Sequence, residues 1–362
     1  MVRAGLWEKE VRLSQFDKID FKEIYRLAEE QSVVGLVAAG LEHVVDIKIP
    51  QEIAILFASS AMQLEQRNEA MNSFIESLYG RMRQMGIYSI LVKGQGIALC
   101  YERPLWRASG DVDLLLNHRY YDKAKEWLLA SGKVELEENY YKKRIEFSVE
   151  GWDVELHGTM RGELGRKIDK VIDDVQKDIF YGGGVRSNMF GKTSVFMPAP
   201  DNDVIFIFTH ILQHFFRGGI GLRQICDWCR LLWTFREVID TDLLHKRLTE
   251  MRIMTEWYAF AALAVDWLGM PKDSIPLYSP IKVWKRNAKR IMNYVLMVGN
   301  FGHNKDRSYL NKHTIVVRKM ISFCRHFKDF FPLAMIFPVD TLKTSFSYLV
   351  RGTEQMVREN KG

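Results

Sequence analysis

Four cysteines in a chain of 362 residues are too few for a disulfide scaffold, and their scarcity fits a reducing compartment. Nine prolines exclude a collagenous or proline-rich linker protein. Long hydrophobic runs are missing. The most apolar stretch, Phe330 to Val339, falls far short of the ~20 residues that span a bilayer, and Pro332 and Pro338 break it. The N-terminus carries charges at Arg3, Glu8, Lys9 and Glu10, where a secretory signal needs its apolar segment. These absences predict a soluble cytoplasmic protein with no membrane insertion. What the chain does have is 47% hydrophobic and 12% aromatic residues, enough for a sizeable core and too much for a disordered chain.

Charge is abundant in both signs but unevenly placed. Residues 281–362 hold 16 Lys and Arg against 5 Asp and Glu, a local balance of +11, so the first 280 residues sum to −5 within the overall +6. Lys282, Lys285, Arg286, Lys289 and Arg290 recur at helical spacing beside Trp284, Ile291 and Val295. A solvated helix face is the preferred reading, and binding of tRNA or another polyanion comes second, because no aromatic RNA-binding signature accompanies the charge.

Periodicity divides the chain into three segments. Residues 1–86 read as helical, with Phe21, Ile24, Tyr25 and Leu27 at three and four spacing and Pro50 opening a long helix from Ile53 to Met85. Residues 87–199 change character. β-rich runs occur at Tyr88–Lys93, Asp111–Leu116, Val134–Leu136, Ile145–Val149, Trp152–Leu156 and Ser194–Met197, with short helices at Ile97–Tyr101 and Tyr120–Ala130. Residues 200–362 return to helix, at Val204–Phe216, Leu222–Phe235, 241–250, 254–268, 281–298, 308–328 and 340–350. No repeat or low-complexity stretch is visible. The expected class is α+β, a mixed-sheet core between N-terminal and C-terminal helical regions.

The chemistry concentrates in the middle segment. Asp111 and Asp113, two apart on a strand, face one side about 6.6 Å apart along the backbone. That spacing lets two carboxylates converge on a divalent cation, although an isolated pair of this kind is more often the wet side of a strand. In Trp152-Asp153-Val154-Glu155-Leu156-His157, alternation sets Asp153, Glu155 and His157 on one face. If that strand neighbours Asp111–Leu116, Glu155 joins the pair, and like charges so close call for a cation. Lys93-Gly94-Gln95-Gly96 ends a strand and opens a helix, a place where glycines and free amides admit phosphate. Lys93, Arg107 and Ser109 could add contacts to a triphosphate.

Taken in order, Leu91-Val92-Lys93-Gly94, Arg107-Ala108-Ser109-Gly110-Asp111-Val112-Asp113-Leu114-Leu115 and Val154-Glu155-Leu156-His157 resemble the uncharacterised bacterial nucleotidyltransferase family of the DNA-polymerase-β-like superfamily. His210-x-x-x-His214 and Gly221 to Asp227 resemble the helical region that follows in such proteins, so the resemblance covers roughly residues 20–235. It implies a minimal nucleotidyltransferase core with helical extensions, in which Asp111, Asp113 and Glu155 hold two Mg²⁺ or Mn²⁺ ions. The implied reaction moves a nucleoside monophosphate from a nucleoside triphosphate to an acceptor: a small molecule, a sugar, a protein side chain or an RNA end. Lys93, Gly94, Gln95, Arg107 and Ser109 match the nucleotide- and phosphate-binding positions, with His157, His210 and His214 as accessories. The chain departs from the superfamily's Gly-Ser or Gly-Gly pair at Gly94-Gln95. That departure favours the alternative reading, a non-catalytic scaffold that binds a nucleotide or a partner.

Two further features have plainer readings. His210, His214, Cys226 and Cys229 have zinc-like spacings but sit inside helices, so buried free thiols are preferred to a zinc-stabilised module. Arg223 and Asp227, four apart on a helix, are expected to pair with each other.

Overall fold

The computed structural model describes residues 1–131, 133–139, 143–162, 164–300 and 330–343. The expected helix at 308–328, and the part of 340–350 beyond residue 343, lie outside the described residues.

Four helices open the chain: α1 (Val2–Trp7), α2 (Phe21–Glu30), α3 (Val34–Glu42) and the long α4 (Gln51–Gln84). Asp20 starts α2 by accepting the Lys22 and Glu23 amides on its carboxylate, and Pro50 precedes α4. The mixed core follows as β1 (Ile90–Val92), α5 (Gly94–Ala98), β2 (Val112–Leu115), α6 (His118–Ser131), β3 (Lys133–Asn139), β4 (Arg144–Val149) and β5 (Trp152–His157). Then come α7 (Arg166–Lys177) and the hairpin of β6 (Val185–Phe190) with β7 (Thr193–Pro198). The helical region comprises α8 (Pro200–Arg217), α9 (Leu222–Thr234), α10 (Thr241–Met251), α11 (Met254–Asp266) and α12 (Lys282–Val298). The class is therefore α+β, as expected. Helix α7 and strand β6 go beyond the sequence expectation.

The five-stranded sheet has the order β1-β2-β5-β4-β3, with β2 and β5 parallel and the other neighbours antiparallel. Its two faces bury different cores. Leu91, Leu114, Val154 and Leu156 pack with Phe74, Ile75 and Leu78 of α4, with Tyr121 and Leu128 of α6, and with Met197 of β7. Ile90, Val92 and Leu115 face the other way, into a larger core that includes Ile207 and Ile211 of α8 and Trp228 of α9. Because side chains alternate along a strand, the polar residues in register with Val92 and Leu115 must point towards the helical region.

The first and last helices share that larger core. Trp7 donates to the Leu268 carbonyl, and Leu333, Ile336 and Phe337 pack into the same cluster. Among the described residues, no helix is long and apolar enough to cross a membrane.

Candidate active site

The register of the central strands builds the site. Asp113 on β2 lies opposite Val92 of β1 on one side and Glu155 of β5 on the other. Glu155 in turn lies opposite Glu146 of β4, and Arg144 opposite His157. Two carboxylates on adjacent strands, 3% and 2% exposed, are mutually destabilising unless neutralised. Here three side chains converge on them. Lys93 Nζ donates to Asp113 Oδ1 at 2.9 Å, and His157 Nε2 reaches the same oxygen at 2.7 Å. Arg144 pairs through Nε with Glu155 Oε1. The ligand-type atoms of Asp113, Glu155 and His157 all lie within 4.8 Å of one another, a grouping that could hold a metal ion.

The environments of the two aspartates are opposed. Burial raises the Asp113 carboxyl, but the Lys93 ammonium and the hydrogen bonds it accepts prevail and hold it well below the usual carboxylate range. Asp111 sits one residue before β2, exposed at the mouth of the site, and the neighbouring Asp113 charge, with partial desolvation, pushes its carboxyl up. Burial, reinforced by the Lys93 charge, lowers His157 to about 4, so its imidazole is neutral at neutral pH and donates to Asp113.

Lys93 itself is held at φ 57° and ψ −144°, a conformation that costs a non-glycine residue of order 1–3 kcal/mol. Together with Gly94, at φ +37°, it turns the chain sharply from β1 into α5. That turn starts the helix at Gly94, three residues earlier than its expected start at Ile97, and aims the lysine across the carboxylates.

Lys93, Asp113, Arg144 and Glu155 line an open cavity of about 100 Å³ between the sheet and the helices, together with Gly94, Arg107, Asp111, His210, His214, Arg223 and Asp227, whereas His157 lies outside the lining. The rings of His210 and His214 pack edge to face at 4.4 Å on α8. Burial, then the nearby Lys93 and His214, keeps His210 neutral.

Several residues expected at the phosphates make hydrogen bonds within the protein. Gln95 is buried and donates to Asn68 Oδ1 of α4 at 3.0 Å. Ser109 Oγ lies 3.4 Å from Gln95 Oε1 and accepts from Arg107 Nη1 at 3.0 Å. Neither Gln95 nor Ser109 lines the cavity. Arg107, also buried, donates from Nε and Nη2 to the two oxygens of Asp227 at 2.7 and 2.8 Å, and Tyr101 OH donates to the same carboxylate. The expected Arg223–Asp227 pair is therefore corrected: Asp227 pairs with the buried guanidinium of Arg107, and Arg223 donates to the Ala108 carbonyl instead. Asn68 completes the bracket by donating to the carbonyls of Leu105 and Arg107. This chain of polar contacts fixes the loop before β2 against α4, α5 and α9.

Cys226 and Cys229 are buried free thiols on α9, pushed up by burial, and they do not join the cavity histidines in a ligand group among the described residues. Two cations of the cavity, Arg144 and Arg223, are not among the site residues expected from the sequence. The polar-apolar alternation from Arg144 to Val149 places Arg144 on the same face as Glu146, a signal that was present one residue before the expected strand start. Arg223 carried no such signal, because its position depends on how α9 packs.

A mixed sheet with neighbouring acidic strands, roofed by helices, defines the class of protein to which this site belongs. The chain belongs to the uncharacterised nucleotidyltransferase family, whose model matches residues 17–269. No curated protein and no solved structure matches it.

Proposed function

We propose that the protein is a metal-dependent nucleotidyltransferase, moving a nucleoside monophosphate from a nucleoside triphosphate to the hydroxyl of an acceptor. The observation that carries this reading is the register of Asp113 against Glu155 on the cavity floor, in a chain of this family. The donor set fits a hard divalent cation: buried carboxylate oxygens on adjacent strands with one imidazole beside them. Asp113 and Glu155, with Asp111 and His157 adjacent, would hold Mg²⁺ or Mn²⁺. When bound, two such ions would supply charge neutralisation at the α-phosphate and acidify the acceptor hydroxyl.

The remaining work falls to the chain itself. Asp111, exposed at the mouth, would accept the proton of the incoming hydroxyl. Glu155, buried and paired with Arg144, would hold charge. Lys93 and Arg144, parked on the carboxylates, are the cations that would turn to the departing pyrophosphate. The bracket of Arg107, Asp227, Ser109, Gln95 and Asn68 keeps the β2 carboxylates in place, which makes Arg107 a positioning residue.

The same ion pairs favour a second reading, the non-catalytic scaffold, because Lys93 and Arg144 already balance both buried carboxylates. One experiment separates the two. Wild-type and Asp111→Ala/Asp113→Ala protein are incubated with labelled nucleoside triphosphates, Mg²⁺ and cell extract. Transfer of label that disappears in the double variant supports the enzyme; nucleotide binding without transfer across acceptor pools supports the scaffold.

A further inference from the structure

Among the cations of the cavity, Arg223 alone belongs to the helical region, on the first turn of α9. Arg107 is committed to Asp227, Lys93 to Asp113 and Arg144 to Glu155. Arg223 makes one side-chain hydrogen bond, from Nη1 to the Ala108 carbonyl at 2.7 Å. Its Nε is shut off from water and has no partner. Among the described residues no carboxylate stands in ion-pair contact with it, and Asp227 is paired with Arg107 and Tyr101. Burial and the adjacent Arg107 charge disfavour its protonated form, and the nearby Asp227 and Asp111 charges offset them only in part. A guanidinium with most of its donor fork unspent, facing a cavity beside a second cation, is a group that lacks an anion.

We infer that Arg223 is the anchor for a substrate polyphosphate, delivered onto the sheet's carboxylate site from the helical region. The inference rests on the nucleotidyltransferase reading and adds to it a residue and a ligand chemistry. The fork suits phosphate oxygens, which accept two parallel N–H bonds. The amides of the same helix turn do not compete for the anion: the Leu222 and Arg223 N–H groups already donate to the side chain and backbone carbonyls of Gln31. The attraction therefore resides in the side chain and is removable by substitution.

The test is calorimetric binding of inorganic tripolyphosphate, and separately of each nucleoside triphosphate, to the full chain with Mg²⁺. The proteins compared are wild type, Arg223→Ala and Arg223→Lys, with apo melting temperatures recorded for all three. The expected result is a loss of about 10- to 100-fold in affinity for Arg223→Ala, the range of a charged hydrogen bond. Arg223→Lys should fall between, keeping the charge without the fork. Equal affinity in a folded Arg223→Ala, or in Arg223→Lys should the alanine variant fail to fold, overturns the inference and leaves the nucleotidyltransferase reading standing. Arg223-dependent tripolyphosphate binding with no nucleotide binding sustains the anchor and overturns that reading instead. Wild type that binds neither ligand overturns both.

Discussion

Replacing Asp227 tests whether Arg107 positions the loop or binds phosphate. The carboxylate accepts from Arg107 Nε, Arg107 Nη2 and Tyr101 OH at 2.7, 2.8 and 2.7 Å, and both charged partners are about nineteen-twentieths buried. Asp227→Ala strands a guanidinium in the interior, which costs about 3–5 kcal/mol. It also leaves the Tyr101 hydroxyl without an acceptor, a further ~1–3 kcal/mol. Because neighbouring losses overlap, the expected total is about 4–6 kcal/mol. Urea unfolding of the full chain reads this as a lower midpoint at unchanged slope. In the double variant Arg107→Met/Asp227→Leu no charge is stranded, so most of the stability should return while nucleotide affinity stays low. Asp227→Asn keeps an acceptor but loosens the arginine. If Arg107 positions the loop, nucleotide binding weakens in Asp227→Asn; if Arg107 binds phosphate, the freed guanidinium tightens it. A loss below about 1 kcal/mol in Asp227→Ala, or tighter nucleotide binding in Asp227→Asn, refutes the reasoning.

Three other outcomes are expected. Mn²⁺ at a hundred times its dissociation constant should stabilise the wild type by about 2.7 kcal/mol and should not stabilise Asp113→Asn/Glu155→Gln, as read by thermal unfolding; an equal shift in both sinks the metal site. Glu256, fully buried on α11, is pushed up to about 8 by burial and the Asp340 carboxyl, so the folded form keeps a proton that the unfolded chain releases from about 4.5 upward. Stability is then greatest below 4.5 as far as this group is concerned, and falls as pH rises towards 8 by at most about 5 kcal/mol, a slope that Glu256→Gln should flatten in denaturation series across that window. Phe337, 3% exposed, sets its ring edge to face against Phe215 and Phe216, so Phe337→Ala should cost about 3–5 kcal/mol in unfolding experiments, and a cost under 1 kcal/mol would show that the segment 330–343 is not docked as described.

The local part of this architecture is legible in the sequence. Alternation in Trp152–His157 marks a strand with Glu155 and His157 on one face, and Pro50 marks the start of α4. Helix α7 has a readable signal too, with Ile168, Val171, Ile172 and Val175 at helical spacing and all buried. Partner choice is not local. Whether β5 lies beside β2 decides that Asp113 meets Glu155, and only the folded register settles it. Gln95, Ser109 and Arg107 carry side chains suited to phosphate, and their sequence neighbourhood points that way. Their actual partners, Asn68 and Asp227, lie 27 and 120 residues distant. Hydrogen-bonding capacity is written in a residue type, but its expenditure depends on which groups burial brings near.

Gln31 has a consequence for how the chain is made. Its side-chain carbonyl accepts the Leu222 amide, and its Nε2 donates to the Val295 carbonyl, 264 residues further on. Trp7 waits similarly for Leu268. At about 5–20 residues per second, a ribosome needs roughly 13–50 s to travel from Gln31 to Val295. Throughout that interval α1, α2 and α3 can pack on one another and on α4, while the later partners of Trp7 and Gln31 do not yet exist. The N-terminal helices can therefore join the helical region only after α12 has been made, so Gln31 fastens the beginning of the fold to one of its late elements.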